Sequence, residues 1–320
     1  MIISSKVPEK FKYLTVHKYL VLRFTYLSDQ EWRQRLAQGR VFLNERPCTG
    51  NEIVFKNDII FYNTPDFTEP PADLDYKIVY EDEWLLGINK PGNLLVHHSG
   101  KSFKSNLIYQ LRYVHSPAYL SAGIVTRLDR ETSGIVIVAK NKEVLKKMNK
   151  LLKERKIHKE YFALVLGIPQ PSSGTINLPI GNMENSKINY RFCIHGKNAK
   201  HALTRYTTIR VFKNKYSLLN LFPETGRTHQ LRVHLHSLGH TIVGDKLYGM
   251  TDDEYLNWRQ NPENIENLKN LEFYRQALHC SKVIFKHPFN NTTCEITASF
   301  PNDVNSFIIT NKSEKKANIY

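Results

Sequence analysis

Long apolar runs are missing from this chain of 320 residues. Nothing approaches the roughly 18 consecutive apolar positions of a membrane-spanning helix, so no membrane association is expected. Cysteine is scarce as well. Cys48, Cys193, Cys280 and Cys294 form no CxxC pair, and their density is too low for a disulfide scaffold. The opening MIISSKVPEKFK has no apolar stretch of the kind a secretory signal carries, and the expected location is the cytoplasm. No fixed-period repeat or low-complexity tract occurs, which disfavours a solenoid. Acidic residues are outnumbered: 30 Asp and Glu against 45 Lys and Arg give a formal charge of +15, and the pI is near 9.5. A field of that sign draws phosphates at long range and implies a polyanionic partner.

The basic excess is concentrated. From Lys140 to Lys159 there are nine Lys or Arg against two Glu, and Val144, Leu145, Met148, Leu151 and Leu152 fall at helical spacing. An amphipathic helix with a basic outer face follows, read as facing nucleic acid.

Near residue 70, TPDFTEPPADLD gathers three prolines and several acids, a composition that neither helix nor strand tolerates well. This linker divides an N-terminal region, 1–70, from a main domain, 71–310; the last residues, 311–320, read as a flexible tail. In the first region Ser28-Asp29-Gln30-Glu31 is a capping box, starting a helix that ends at Gly39. VFLN and EIVFKNDIIFY read as strands around a turn. In the second, apolar strands (YKIVY, WLLGINK, GIVIVAK, YFALVLG, YSLLNLF) mix irregularly with helical segments (LIYQLRYV, EVLKKMNKLLKE, THQLRVHLHSLG). The expected fold class is α+β, a mixed, largely antiparallel sheet with flanking helices. The acidic stretch from Thr251 to Gln276 reads as a helical insertion.

The most informative segment is GIVTRLDRETSGIVIVAK, which sets Asp129 between Arg127 and Arg130 and then enters an apolar strand. In extended backbone Arg127 and Asp129 share a face while Leu128 packs the other way. The guanidinium groups favour an ionised Asp129. An ordinary surface ion pair would look the same in this segment, and a carboxylate fixed for catalysis at a strand end is the alternative.

Four further segments bear on that choice. NKPGNLLVHHSG forms a basic turn at Lys90-Pro91-Gly92, and HKEYFALVLG places Lys159 and Tyr161 on one strand face. PETGRTHQLRVHLHSLGHTIVGDKLYG holds Arg227, His229, Gln230, Leu231 and Arg232 at a loop-to-helix junction, and RQALHCSKVIFKHPF reads as an apolar hairpin. Taken in order with RLDRETSG, these segments resemble the RluA family of RNA pseudouridine synthases over Tyr76 to Pro301. EWRQRLAQGRVFLNERPCTGNEIVFKNDIIFY, in the first region, resembles a degenerate S4-type RNA-binding module, with Arg33, Arg35 and Arg40 near the helix that would face RNA. The first helix of such a module is poorly represented in VHKYLVLRFTYL.

The resemblance implies isomerisation of uridine to pseudouridine in ribosomal or transfer RNA, with no cofactor; a monomer is expected, because the target is bulky and the motifs supply one complete site, and no metal is expected. The resemblance also implies that Asp129 is the essential carboxylate, acting on the sugar or removing a proton. Arg232 would pair with Asp129, Tyr161 would stack on the uracil and Leu231 would pack beside the ring. A base inside a helix must be flipped out to react, at a cost of a few kcal/mol, and Arg127 would fill the gap. Lys90 and Arg227 complete the expected substrate-binding set. Two positions depart from the family pattern: Thr126 stands where histidine is common, and Cys280 where alanine is. Cys280 is read as packing.

Other readings fare worse. His229, His234, His236 and His240 suggest a metal, but Gly239 should end the helix between the last two, and no acid sits close in sequence. A glycoside hydrolase could recruit Glu160 or Glu224 as its second carboxylate, yet Asp129 among arginines is a poor acid. A non-catalytic RNA-binding protein or ribosome-assembly factor on the same fold is the rival from another class, and loss of Asp129, Tyr161 or Arg232 would be its signature.

Overall fold

A computed structural model of the chain describes residues 2–63, 68–262 and 271–311. The tail expected at 311–320 lies, past Asn311, outside the described residues, as does 263–270 of the expected insertion. Two compact units divide the chain between Pro71 and Ala72, and the segment His98–Ser105 joins the first of them.

The first unit contains β1 (Ile2–Lys6), α1 (Val16–Arg23), α2 (Asp29–Ala37), β2 (Val41–Leu43), β3 (Arg46–Pro47) and β4 (Ile59–Asn63), with sheet order β1-β4-β2-β3. The capping box forms: Ser28 Oγ accepts the Glu31 amide at 3.2 Å, and Glu31 Oε2 accepts the Ser28 amide at 2.6 Å. Two local expectations need correction. VHKYLVLRFTYL does contain a helix, α1, capped by Thr15. Its stability comes from burial: Tyr19 and Leu20 pack with Phe24, Trp32 and Tyr62, and such packing overrides a weak local pattern. EIVFKNDIIFY, in turn, is a strand only in its second half, because the chain turns at Asn57, where φ is +73°.

In the second unit the elements are β5 (Lys77–Glu81), β6 (Leu85–Lys90), α3 (Leu107–Tyr113), β7 (Gly123–Ile124), β8 (Ser133–Ala139), α4 (Lys142–Lys153) and β9 (Ile157–Leu166). They continue with β10 (Ser173–Asn177), β11 (Ile180–Asn182), β12 (Phe192–Ile194), β13 (Lys197–Lys200), β14 (Leu203–Phe212) and β15 (Tyr216–Pro223). The rest are α5 (Gln230–Ser237), α6 (Lys246–Gly249), α7 (Asp252–Gln260), β16 (Leu278–Lys286), β17 (Thr293–Thr297) and α8 (Asn302–Thr310). A ten-stranded sheet runs β10-β14-β15-β9-β16-β8-β6-β5, with β17 added on β16 and β7 on β8. Its described pairings are antiparallel except β8 with β16. The strand after RLDRETSG is β8, and all seven of its residues are buried, as an unbroken apolar run requires.

Gly134 makes the parallel pairing possible. Its φ is +107°, and a Cβ there would stand 2.1 Å from the Cys280 carbonyl oxygen. Through this contact Gly134, Cys280, Tyr161 and Leu221 form one row across β8, β16, β9 and β15. The row lies at the end of β8 from which the Asp129 segment emerges.

Candidate active site

Residues 126–132 are fastened at several points, to β8, to the end of β6 and the loop after it, to α6 and to the chain just before β16. The Val125 and Thr126 amides donate to the Ile137 carbonyl at 2.9 and 3.3 Å, and Thr126 Oγ1 accepts the Ile137 amide at 2.9 Å. Thr126 is therefore buried, with its hydroxyl spent on the edge of β8. Leu128 packs inward. The Arg130 carbonyl accepts from the Leu94 amide and from Lys90 Nζ, both at 3.1 Å, and Arg130 Nε donates to Asn93 Oδ1 at 2.8 Å. Glu131 accepts from Lys246 Nζ at 2.6 Å and from the Gln276 amide at 3.1 Å. So anchored, the segment leaves Arg127 exposed and the Asp129 side chain 29% exposed.

Arg232 comes from the first turn of α5. The loop before it is pinned by Gln230, whose Oε1 accepts from Thr225 Oγ1 at 2.7 Å and the Arg227 amide at 3.0 Å. Gln230 Nε2 donates to the Leu203 carbonyl and Thr204 Oγ1, both at 2.9 Å, tying the loop to β14. Arg232 Nη1 donates to Asp129 Oδ2 at 2.8 Å. Its remaining face is taken by Asp245, with Nε to Oδ2 at 2.7 Å and Nη2 to Oδ1 at 2.8 Å. Asp245 is 1% exposed and also caps α6 through the Leu247 and Tyr248 amides. The Tyr248 ring lies 5.0 Å from the guanidinium carbon.

Charge follows from these contacts. Burial raises the Asp129 carboxyl, but the Arg232 charge and hydrogen bond, with His229 and then Arg127 beside them, more than offset it and hold the pKa below its ordinary value. Arg232 is penalised by burial and kept firmly protonated by Asp245 and Asp129. His229 Nε2 lies 3.9 Å from the same Asp129 oxygen, and burial with the adjacent Arg232 depresses its pKa to about 4, so the imidazole is neutral near pH 7. Asp129 Oδ1 has no hydrogen bond among the described residues.

Tyr161 is buried within electrostatic reach of Asp129, its phenol pushed well above the usual range by burial and by Cys280. It remains a neutral ring. Leu231 is buried beside Arg232 in the first turn of α5. Lys90, expected at the substrate, is instead fully buried: Nζ donates to the Pro91 carbonyl at 2.7 Å and to Arg130, and burial lowers its pKa to about 7. Its geometry supports the Asp129 segment from behind. Arg227 is half-buried, with Nε donating to the His201 carbonyl at 2.9 Å. Cys280 is sealed in the sheet with its thiol pushed up to about 11 by burial, an unreactive thiol.

Asp245 and Tyr248 carried no role in the sequence reading. Their signal was the GDKLYG that follows GRTHQLR, an Asp placed to cap a short helix. Gly244 before it has φ +78°, and a Cβ there would meet the Arg275 carbonyl oxygen at 2.0 Å. The other histidines serve separate partners: His234 bonds Thr204 and Leu178, His236 bonds Thr241, and His240 bonds the Leu166 carbonyl. Among the described residues no cluster of His, Cys, Asp and Glu could hold a metal ion.

Comparison with known proteins decides the family. Residues 85–237 match the model of the RNA pseudouridylate synthase family. An RNA pseudouridine synthase of Chlorobaculum parvum is 32% identical over 91% of this chain and 92% of its own length. The ribosomal large subunit pseudouridine synthase D of Zymomonas mobilis is 34% identical over 88% of each. The chain belongs to the RluA family of RNA pseudouridine synthases. As such it is an isomerase. The family fold is seen directly in the human RNA Pseudouridylate Synthase Domain Containing 1, which superimposes with a TM-score of 0.58 at 29% identity, covering 72% of this chain and 86% of that one.

Proposed function

We propose that this synthase acts on uridine in ribosomal RNA, with Asp129 as its essential carboxylate. The observation that carries the reading is the asymmetric environment of Asp129. One oxygen, Oδ2, is held by Arg232, while Oδ1 is without a protein hydrogen bond among the described residues on a partly exposed side chain. Detaching uracil from ribose and rejoining it through carbon 5 needs an anionic oxygen at the sugar, whether it attacks the anomeric carbon or removes a proton. A carboxylate kept charged by a rigid guanidinium suits either route.

The exposed Arg127, two residues before Asp129 on a fixed segment, is suited to fill the stack from which the base is drawn. Tyr161 offers a ring and Leu231 an apolar side chain to the uracil. The ribosomal preference rests on relatives named as acting on the large subunit. The first unit, with Arg33, Arg35 and Arg40 around α2, is proposed as a second RNA contact. The test is to incubate the purified protein with ribosomal RNA and with transfer RNA and map pseudouridine at single-nucleotide resolution. New pseudouridine at discrete ribosomal positions is expected. Modification confined to transfer RNA would overturn the substrate class, and none in either RNA would overturn the reading.

A further inference from the structure

The reaction as proposed uses Asp129, Arg232, Tyr161 and Arg127, and it leaves His229 without a task. Yet the chain goes to some length to place this side chain. His229 takes the left-handed backbone conformation, φ +55°, as the residue that caps α5, and its own side chain does no capping. The imidazole is mostly enclosed, edge-on to Phe192 and to Tyr248. Its Nδ1 lies 3.0 Å from the Tyr248 hydroxyl, and Nε2 lies 3.9 Å from Asp129 Oδ2.

The proton on the ring can be assigned from its neighbours. The Phe192 amide donates to the Tyr248 oxygen at 3.3 Å, and among the described residues His229 Nδ1 is the one acceptor beside the hydroxyl, so the arrangement that satisfies both groups places the hydroxyl proton towards Nδ1. A neutral imidazole that accepts at Nδ1 carries its hydrogen on Nε2. Neutrality follows from burial and from Arg232 and Arg127, which outweigh Asp129 and Asp245 and bring the pKa to about 4. Nε2–H then faces the one Asp129 oxygen that Arg232 already holds.

We infer that His229 is a positioning residue: a neutral donor, set in its tautomer by Tyr248, that closes on Asp129 Oδ2 when the nucleoside displaces solvent, leaving Oδ1 as the reacting oxygen. A charged histidine would quench the carboxylate. A neutral one orients it and leaves its charge available. This inference rests on the proposed role of Asp129 and adds a partner to it.

Three substitutions separate orientation from mere packing. The amide nitrogen of His229→Gln falls near the place of Nε2, that of His229→Asn near Nδ1, and His229→Leu has no donor. Because asparagine accepts the left-handed conformation more readily than glutamine, stability should rank Asn above Gln. Activity should rank the other way. On the RNA that the wild type modifies, single-turnover rates should fall about 10- to 100-fold for Leu and Asn, the weight of one hydrogen bond to a charged group, with KM little changed. His229→Gln should stay within about fivefold of wild type, on the same reasoning. Nitrogen NMR of histidine-labelled protein at pH 7 should show His229 neutral with hydrogen on Nε2. Activities that follow the stability order, a wild-type rate for His229→Leu, or hydrogen on Nδ1 would each overturn the inference. Loss of the inference would leave the proposed function standing if the wild type modifies RNA. A wild type inert on every RNA would remove both.

Discussion

Arg232 and Asp245 form a two-pronged ion pair, and the guanidinium nitrogen left over, Nη1, is the one that holds Asp129. A largely buried ion pair of this kind gains little net stability, since desolvating the charges offsets their attraction. Its contribution is orientation. The fork fixes the plane of the guanidinium, and that plane decides where the Asp129 carboxylate points.

Arg232→Lys tests that geometry. One ammonium cannot reproduce the three guanidinium bonds in their fork geometry, so either the buried Asp245 or the partly exposed Asp129 loses part of its pairing. Destabilisation of about 3 kcal/mol in urea unfolding is expected. The single-turnover rate should drop by about 100-fold or more, as the loss of a charged hydrogen bond implies. Asp245→Asn should lower the rate too, although Asp245 touches no part of the proposed reaction.

Gly134→Ala should be among the most disruptive small substitutions in the chain. The added methyl meets a backbone carbonyl that cannot move without parting β8 from β16. A loss of about 3 kcal/mol or more in urea unfolding is expected, because strain and clash combine. Gly39→Ala provides the comparison: φ is +64°, but nothing lies within 4 Å of the added carbon. Its cost should be about 1 kcal/mol.

Thr126→Val removes a hydroxyl and keeps the shape. The Ile137 amide then loses an acceptor in a buried place, at about 1–3 kcal/mol of stability. Because Thr126 faces β8, RNA affinity measured by filter binding should be unchanged.

Acid sensitivity should begin above the carboxylate range. His229 and His279 are both depressed to about 4 by burial, from an ordinary value of 6.5. The folded state holds them neutral while the unfolded chain binds protons, so their contribution is complete above 6.5 and declines as pH falls towards 4. The unfolding free energy from urea titrations should fall between pH 7 and pH 4.5 by on the order of 2 kcal/mol for each histidine, about 5 kcal/mol for the two. Substituting either histidine with Gln should flatten the profile in this window. Asp129, whose pKa is lowered, adds its own loss only below about its ordinary value of 3.8.

Much of this architecture could be read from pattern because local and global signals agree. β8 is apolar at every position since both faces are covered, and the α4 stripe of Val144 and Met148 is the face that packs. β14 escaped notice for the opposite reason. Its LTRYTTIRVF carries three Thr and two Arg among its ten residues, with Arg205, Thr207 and Arg210 exposed. At the candidate site, the pairing of Asp129 with Arg232 was legible through motifs. Asp245 was not, because its importance lies in a bond to a residue 13 positions away, which spacing alone cannot reveal. Lys90 misled for a similar reason: a basic turn suggests solvent, whereas its amine is needed beneath the segment that carries Asp129.

The most direct test is Asp129→Asn, which preserves size, leaves one acceptor oxygen for Arg232 and removes the anion. Given the RNA that the wild type modifies, the variant should form no pseudouridine after hours of incubation, while circular dichroism and RNA affinity match wild type. Any turnover by the folded variant beyond the background of RNA without enzyme would contradict a reaction that depends on this carboxylate.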